Sequence, residues 1–375
     1  MSAGASGAVV ERMLQSDDAD LVESDFLALV ERLRVERTDG PTASDMRPLS
    51  TDEILSLPAS GTAAYAECLA LGQRALREGR VASAVVAGGA GTRFGGAVKG
   101  LVPVLGQRTF LELKLEDARR AGASHGRPVP VAIMTSVLTH DPIAEFLHKH
   151  ELVGNDVHLF RQRDLPRLTL DWRVFRDSDG QPSMAPAGHG DFFRALRASG
   201  LAAQLRRRGI EHLLFSNVDN LAATLDPLVI GVHIKGGAAM SLEATERMNA
   251  VGELDPGGGP VRVRGLPMLV EKVDATQHPL ISTNSIHFRL ADIAERDIPL
   301  PYRVVKKTVD GHTLLQIEQV TGEASAVVDR AGRQLLPAAF IEVPRRNPRT
   351  TRFEPVKTLS DLRRVAATLA ERLRA

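Results

Sequence analysis

The spacing of apolar and polar residues divides the chain into segments of helical and of strand character. Before residue 81, apolar residues recur at helical spacing over 20–37 and 63–77, with a proline- and glycine-containing break between them. After it, short apolar runs of strand type occur at 81–87, 129–135, 157–160 and 212–216. Helical stretches follow them at 109–121, 140–150 and 191–208. This alternation predicts an α/β fold whose mostly parallel sheet carries helices on both faces.

The second half of the chain is richer in strand patterns. Apolar runs of strand length occur at 240–245, 261–263, 268–273, 286–288, 314–320 and 340–343. An amphipathic helix is predicted from 359 to 374. We therefore expect a helical N-terminal segment over 1–80, a domain of strands and helices over 81–358 and a C-terminal helix over 359–375. Within the domain, a first half of alternating strands and helices would span about 81–237 and a β-richer half about 238–358.

Composition narrows the class of protein. Of 375 residues, 43% are hydrophobic and 25% charged, and the formal net charge is +1. No bulk basic field therefore favours nucleic acid or a membrane surface as a partner. Cys68 is the only cysteine, the first 30 residues carry several acids, and no run approaches the ~18 apolar residues of a membrane span. We expect a soluble protein of the reducing cytoplasm.

A glycine-rich loop follows the first predicted strand. Residues 88–96 read Gly-Gly-Ala-Gly-Thr-Arg-Phe-Gly-Gly. A Walker A loop would need Gly before Lys99, and the dinucleotide fingerprint would need Gly in place of Phe94, so the loop fits neither. The loop backbone together with Arg93 and Lys99 suits a triphosphate, because glycines let N–H groups approach phosphate closely. The alternative is a glycine turn with solvated basic residues.

An acidic residue follows a later strand. The apolar run at 212–216 ends in Asn-Val-Asp-Asn, which places Asp219 beyond the carboxyl end of a strand, where α/β sheets bind their ligands. A carboxylate beside bound phosphate is a natural Mg²⁺ ligand. An Asx turn or a helix cap explains the same tetrapeptide about as well.

Several blocks, in this order, resemble the family of UTP–glucose-1-phosphate uridylyltransferases and UDP-N-acetylhexosamine pyrophosphorylases. The blocks begin at Ala87 (AGGAGTRFG), Lys99 (KG), Phe110 (FLELK), Ala132 (AIMTS), Phe160 (FRQ), Ala187 (AGHGD), Gly209 (GIEHLLFSNVDNL), Ser282 (STN) and Arg352 (RFEPVKTLSDL). The resemblance implies a Rossmann-like, GT-A-like nucleotidyltransferase core. It also implies a Mg²⁺-dependent reaction in which a sugar 1-phosphate attacks the α-phosphorus of a nucleoside triphosphate directly and pyrophosphate leaves.

The resemblance also assigns roles to single residues. For the nucleotide it implies contacts from Gly88, Gly89, Gly91, Thr92, Gln162, Gly188, His189 and Gly190. For the phosphates it implies the cations Arg93, Lys99 and Lys357. For the metal it implies Asp219, and for the sugar phosphate Asn220, Glu271 and Asn284. Each has a simpler alternative: His189 as a turn residue, Glu271 in a surface salt bridge, and Gln162 and Lys357 as solvated side chains.

Departures from the family fall on the sugar side. Residues 283–285 read Thr-Asn-Ser where the family commonly has Thr-Asn-Asn, Glu246-Arg247 stand where a lysine is often found, and 251–265 are unusual in their glycines and arginines. UTP and glucose 1-phosphate are the expected substrates, with a modified sugar or cyclitol phosphate, and GTP or another triphosphate, left open. We expect no C-terminal β-helix domain and a monomer or small homo-oligomer. A non-catalytic nucleotide-sugar sensor is the alternative of another class.

Overall fold

The computed structural model describes residues 23–35, 41–91, 96–249 and 252–372. The strands are β1 (Met46–Pro48), β2 (Leu55–Ser56), β3 (Val81–Val86), β4 (Ala90–Gly91), β5 (Ala97–Val98), β6 (Pro103–Leu105), β7 (Arg108–Thr109), β8 (Val131–Thr135), β9 (Val157–Arg161), β10 (Asp164–Pro166), β11 (Met184–Pro186), β12 (His212–Asn217), β13 (Met240–Glu246), β14 (Gly259–Val263), β15 (Leu266–Val270), β16 (Leu280–Arg289), β17 (Arg303–Val309), β18 (His312–Glu318) and β19 (Ala338–Glu342). The α-helices are α1 (Glu23–Val35), α2 (Ala63–Arg77), α3 (Phe110–His125), α4 (His140–Lys149), α5 (Phe192–Ala198), α6 (Leu201–Arg207), α7 (Pro227–Gly236), α8 (Leu290–Ala294) and α9 (Leu359–Arg372).

Eight strands form the central sheet, in the order β2-β19-β13-β16-β12-β3-β8-β9. Every neighbouring pair is parallel except the two that involve β16, which runs antiparallel to both β13 and β12. The prediction of an α/β fold with a mixed, mostly parallel sheet is confirmed.

Two apolar clusters cover the two faces of this sheet. Along β3, Val81 and Val85 belong to one cluster and Ala82 and Ala84 to the other, as the alternation of side chains along a strand requires. The first cluster includes apolar residues of α3, α4 and α9, and the second includes those of α5, α6 and α8. The sheet is therefore the middle layer of three.

The N-terminal part contains the two predicted helices and also two short strands. α1 and α2 lie within a few residues of their predicted limits. β2 adds a parallel edge to the central sheet beside β19, and β1 pairs with β14. The division of the chain into three segments stays a prediction.

The helices differ from the expectation at three places, one of which is the short α8, which was not predicted. The stretch predicted as one helix over 191–208 is two, α5 and α6, separated at Gly200, whose φ is +74°. α7 was not predicted, because its apolar residues surround the axis and leave no amphipathic period. Within the described ranges, no helix is long and apolar enough to cross a membrane.

Candidate functional site

Four adjacent strands of the central sheet run parallel and end at one edge. In their pairing, Asn217 of β12 stands opposite Val86 of β3, Val86 opposite Met134 of β8, and Thr135 of β8 opposite Arg161 of β9. The segments that follow these strands carry the glycine-rich loop, Gln162 and Asp219. The topology therefore brings three separately predicted features to the same edge, where α/β sheets bind ligands.

Polar contacts join the glycine-rich loop to the end of β9. Ser136 donates a hydrogen bond through Oγ to the carbonyl of Gly88 (2.9 Å), and the backbone N–H of Gln162 donates to the Thr135 carbonyl (3.0 Å). A Cβ on Gly88 would lie 2.1 Å from Nε2 of Gln162, so a larger residue would displace this buried amide. Gln162 is buried, and its Oε1 has no hydrogen-bond partner among the described residues. Such an acceptor is costly unless a ligand N–H pairs with it.

The glycine-rich loop folds back as a short hairpin. β4 pairs antiparallel with β5, with Gly91 opposite Ala97. A Cβ on Gly89 would meet no atom within 4 Å, so open space borders the loop at this residue. Thr92 and Arg93 lie outside the described residues, and their predicted phosphate contacts stay predictions.

Lys99 and Asp219 meet at the centre of this edge. Lys99 opens a 3-10 turn after β5, and its Nζ pairs with Oδ2 of Asp219. The next residue, Gly100, is buried, and a Cβ there would lie 3.6 Å from Val218, so the two segments approach closely. Both charged side chains are partly exposed, 22% for Lys99 and 15% for Asp219. The structure thus brings a predicted phosphate cation and the predicted metal ligand into one ion pair.

The donor chemistry at Asp219 fits a hard divalent cation. No group of three or more His, Cys, Asp or Glu side chains suited to a metal occurs in the part of the chain that the structure describes. Mg²⁺ does not need one, since it is commonly held by one or two carboxylates while substrate phosphates and water complete its octahedron. A single, partly exposed carboxylate beside a phosphate-type loop matches that mode.

The turn that carries His189 is held by a buried carboxylate. Asp191, only 1% exposed, accepts hydrogen bonds from the backbone N–H of Arg163 (2.8 Å) and from Nε and Nη2 of Arg194 (2.8 and 2.7 Å). Because Arg163 follows Gln162, this carboxylate fixes the turn beside Gln162. Asp191 is the last residue of the block that begins at Ala187, but its role in holding this turn is apparent only from the fold.

The glycines on either side of His189 are required by the protein's own backbone. A Cβ on Gly188 would lie 2.5 Å from the carbonyl oxygen of Gln319, and one on Gly190 would lie 2.6 Å from its carbonyl carbon. The backbone N–H of Gly190 donates to the same carbonyl (2.9 Å). Close packing therefore explains both glycines, and their predicted contact with the base stays a prediction.

The hydrogen bonds of His189 favour one tautomer. Its Nδ1 accepts the backbone N–H of Thr321 (3.2 Å) and lies 2.9 Å from the Thr321 hydroxyl, which donates to the His189 carbonyl (2.7 Å). A neutral imidazole with Nδ1 as acceptor carries its proton on Nε2. Burial lowers the pKa of His189 to about 4, so the ring is neutral at pH 7 and presents Nε2–H as a donor.

Asn220 ties the Asp219 loop to the segment before α9. Its Nδ2 donates to the carbonyl of Arg352 (3.1 Å), and its Oδ1 accepts the backbone N–H of Glu354 (3.2 Å). Asn220 is 1% exposed. These contacts give it a structural task, and its predicted contact with the sugar stays a prediction.

Lys357 follows this tied segment. Its neighbour Val356 is fully buried in the apolar cluster that also holds Val218. The backbone N–H of Lys357 donates to Asp361 (3.0 Å), and the side chain is exposed. The segment is thus anchored beside the Asp219 loop, and the phosphate role of Lys357 stays a prediction.

A buried ion pair anchors Arg352 itself. Its Nε and Nη2 donate to Oε2 and Oε1 of Glu243, both at 2.7 Å, and Nε2 of His287 lies 2.8 Å from the same Oε1. Burial alone would raise the pKa of Glu243, but Arg352 and His287 outweigh it and hold that pKa at about 2. Arg352 also donates to the carbonyl of Thr224 (3.1 Å), beyond the Asp219 loop.

Two further residues predicted to contact the sugar phosphate lie on β16 and just after β15. Asn284 has a left-handed backbone (φ +55°), and its Nδ2 donates to Oδ1 of Asn217 at the end of β12 (3.0 Å). Glu271 follows β15, where burial, reinforced by the nearby Glu323, raises its pKa against the opposing effect of Arg303. The structure therefore places Asn284 at the edge where Asp219 lies.

Arg247, noted as a departure from the family, has a structural task. It is 1% exposed, and its guanidinium donates to four carbonyls. These are the carbonyls of His278 (2.8 Å), Asp255 (2.8 Å), Gly257 (3.0 Å) and Leu280 (2.8 Å). Arg247 therefore fixes the unusual glycine-rich segment against β16.

Lys114 is a buried lysine to which sequence reasoning assigned no role. It lies on α3, is 6% exposed, and its Nζ donates to Oγ of Ser216 (3.0 Å) and to the carbonyl of Ala223 (2.8 Å). Burial lowers its pKa to about 8. The only signal of such a role in the sequence is the position of this lysine on the apolar side of a helix. Lysine side chains are rarely buried unless they are paired.

A family model and individual relatives point to the same protein family. A family model described as UTP–glucose-1-phosphate uridylyltransferase matches residues 25–372. The uridylyltransferase of Solanum tuberosum is 30% identical over 299 residues, covering 73% of this chain and 58% of that protein. The human UDP-N-acetylhexosamine pyrophosphorylase-like protein 1 is 33% identical over 251 residues, covering 63% of this chain and 49% of that protein. The chain thus spans about half the length of the curated relatives it matches.

Solved structures share the fold. The uridine diphosphate N-acetylglucosamine pyrophosphorylase of Trypanosoma brucei superposes with a TM-score of 0.75 at 21% identity, covering 96% of this chain and 79% of that one. A UDP-glucose phosphorylase of the same organism gives 0.75 at 23% identity, covering 96% and 78%. With the family model matched along nearly the whole chain, this protein belongs to the UTP–glucose-1-phosphate uridylyltransferase family.

Proposed function

We propose that the chain couples the nucleoside-monophosphate part of a nucleoside triphosphate to a sugar 1-phosphate and releases pyrophosphate. The observation that carries the proposal is the ion pair of Lys99 with Asp219, at the strand edge shared by the glycine-rich loop and Gln162. A cation and a metal-type carboxylate side by side next to a phosphate-type loop suit the transfer of a phosphoryl-type group.

The reaction needs alignment and charge neutralisation more than covalent chemistry. A sugar phosphate is already an anion, so its oxygen attacks the α-phosphorus in line and the P–O bond to pyrophosphate breaks, with no enzyme intermediate. Lys99, with Arg93 and Lys357 from other parts of the chain, would neutralise the phosphates. Mg²⁺ held by Asp219 would supply further positive charge at the phosphates.

The other site residues would select and orient the nucleotide. Oε1 of Gln162, which has no hydrogen-bond partner among the described residues, would accept an N–H of the base, and Gly88 and Gly89 would contact base and ribose. His189, neutral with its proton on Nε2, would donate to a phosphate or ribose oxygen without adding charge. Asn284 and Glu271 would contact the acceptor.

For the substrates, we propose UTP and glucose 1-phosphate. The names of relatives include both glucose and N-acetylhexosamine enzymes, which supports a hexose-type acceptor and leaves its substituents to the sugar-side residues. The departures from the family on the sugar side, which include the segment that Arg247 holds, favour a second candidate: a modified sugar or cyclitol 1-phosphate, with GTP as the alternative triphosphate. We further propose a cytoplasmic location.

The test is a matrix of triphosphates and sugar 1-phosphates scored by pyrophosphate release, with and without Mg²⁺. We expect UTP with a hexose 1-phosphate to give Mg²⁺-dependent turnover, and Lys99→Ala to lower kcat by ~10²-fold or more. Lys235→Ala, which removes a surface lysine paired with Glu67, serves as the matched control and should leave turnover unchanged. Tight nucleotide-sugar binding without pyrophosphate release would contradict the proposal and favour a sensor.

A further inference from the structure

The Asp219 loop is held at both ends by one buried side chain. Ser216 lies near the carboxyl end of β12, and Ala223 lies seven residues further on. Nζ of Lys114 donates to both, at 3.0 Å to the Ser216 hydroxyl and 2.8 Å to the Ala223 carbonyl. Asp219 lies midway between these two contacts, so Lys114 closes the loop that carries the predicted metal ligand.

The helix that carries Lys114 is itself fixed. α3 begins with a capping box in which Thr109 accepts the Glu112 N–H and Glu112 accepts the Thr109 N–H. One turn beyond Lys114, Asp117 accepts the backbone N–H of Leu225 (2.9 Å). α3 therefore holds the loop at its beginning and at its end, from a rigid position.

Burying a lysine is expensive, and the nearby carboxylates of Asp117, Asp219 and Glu243 offset only part of the cost, since burial still lowers the pKa of Lys114 to about 8. Its two hydrogen-bond partners are a hydroxyl and a carbonyl, both neutral. A methionine or leucine would fill the same apolar surroundings without a desolvation cost. Retaining an ammonium here at a cost to stability indicates a task for it at the neighbouring loop.

We propose that Lys114 is a positioning residue for the metal site. By joining Ser216 to Ala223, it holds the Asp219 carboxylate in the place where metal and triphosphate meet. The inference rests on the proposed function, because it assigns Asp219 to the metal. Groups that orient a metal ligand in this way commonly change metal affinity by 10–100-fold when removed.

The test is Lys114→Met, which keeps most of the side chain and removes the ammonium that makes both hydrogen bonds. Binding of Mn²⁺ in the presence of a non-hydrolysable α,β-methylene triphosphate is measured by electron paramagnetic resonance, so no turnover is needed. We expect the variant to bind Mn²⁺ at least ~10-fold more weakly. Ser216→Ala removes one contact and should give a smaller loss, which keeps the test decisive where Lys114→Met does not fold.

A control separates positioning from general destabilisation. Thr245→Val removes a buried hydrogen bond of 2.7 Å to the Val343 carbonyl, at a position away from the loop. It should lower stability and leave Mn²⁺ affinity within twofold of wild type. Equal Mn²⁺ affinity in folded Lys114→Met and wild type would overturn the proposal.

A second readout does not depend on the metal. Amide hydrogen exchange across residues 216–225 should be faster in Lys114→Met than in wild type. Unchanged exchange would contradict the proposal that Lys114 holds this loop. If wild type binds no metal–nucleotide complex, the proposed function fails, while faster exchange in the variant would still show that Lys114 holds the loop. The two failures are thus distinguishable.

Discussion

The buried pair of Glu243 with Arg352 makes a sharp prediction about stability. The carboxylate is completely buried, and two hydrogen bonds of 2.7 Å join it to a guanidinium that is 3% exposed. Glu243→Gln keeps the shape of the side chain but leaves the cation without its counter-ion. Removing one partner of such a pair typically costs ~3–5 kcal/mol.

The lowered pKa of the Glu243 carboxyl corresponds to a stability contribution of similar size. Arg352 and His287 hold the pKa of Glu243 at about 2, against an ordinary value of 4.5. A difference of this size between folded and unfolded chains corresponds to roughly 3 kcal/mol of stability. Because the folded pKa is the lower one, this contribution is complete above about pH 4.5 and is lost as the pH falls towards 2. The difference between wild type and variant should shrink over the same window.

The measurement is urea unfolding followed by circular dichroism, at neutral pH and at several acidic values. Glu246→Gln is the matched control, because Glu246 ends the same strand but pairs with Arg346, whose side chain is 77% exposed. Such surface pairs are worth ~1 kcal/mol or less. A loss below ~1 kcal/mol in Glu243→Gln, or a loss that does not depend on pH, would refute the reasoning.

Three further predictions concern the site itself. Gly88→Ala should weaken both stability and triphosphate binding, because its Cβ would lie 2.1 Å from Nε2 of Gln162. Gly89→Ala should weaken binding alone, because its Cβ would meet no atom within 4 Å. Calorimetry of both variants measures stability and binding, and equal stability losses would contradict the prediction. Burial lowers the pKa of His189 from 6.5 to about 4, so its contribution to stability is complete above pH 6.5 and is lost as the pH falls towards 4. The thermal unfolding midpoints of His189→Gln and wild type should therefore approach each other at acid pH. Lys357→Ala should leave the unfolding free energy unchanged, because the side chain is exposed, and should severely lower single-turnover rates; near-normal rates would remove Lys357 from the mechanism.

The order of elements was predictable from sequence because it depends on local periodicity. The strands expected at 81–87, 129–135, 157–160 and 212–216 form, and they lie side by side as the parallel half of the sheet. Once parallel strands neighbour one another, their carboxyl ends meet at one edge. The proximity of the glycine-rich loop and Asp219 therefore followed from the pattern together with the rules of α/β topology.

The helix α7 escaped prediction although its ends are well marked. Asp226 caps it through a hydrogen bond to the N–H of Leu228 (2.8 Å), Pro227 occupies the first turn, and Gly237 ends it with φ +66°. A prediction that gave helix-capping residues more weight than apolar periodicity would have found this helix. Its burial between α2 and the sheet removes the polar face on which the periodicity test depends.

The polar contacts within the site could not be predicted, because they join distant parts of the chain. Lys114 reaches Ser216 across 102 residues, and Arg352 reaches Glu243 across 109. No local pattern distinguishes a lysine that clamps a loop from one that is solvated on a helix. Asn220 shows the converse, since its place in a sequence block implied a sugar contact while its described hydrogen bonds hold the Arg352–Glu354 backbone.

The two anchors of the Asp219 loop suggest why the site can be rigid before substrate arrives. α3 holds the loop from one side through Lys114, and the segment after β19 holds it from the other through Arg352 and Asn220. Charges fixed in advance stabilise a transition state without reorganisation, which is the largest contribution that a site of this type can make. Since the second anchor also leads to Lys357, a weakened pair of Glu243 with Arg352 should disturb catalysis as well as stability. Loss of kcat in folded Glu243→Gln, with little change in acceptor KM, is the signature that this coupling requires.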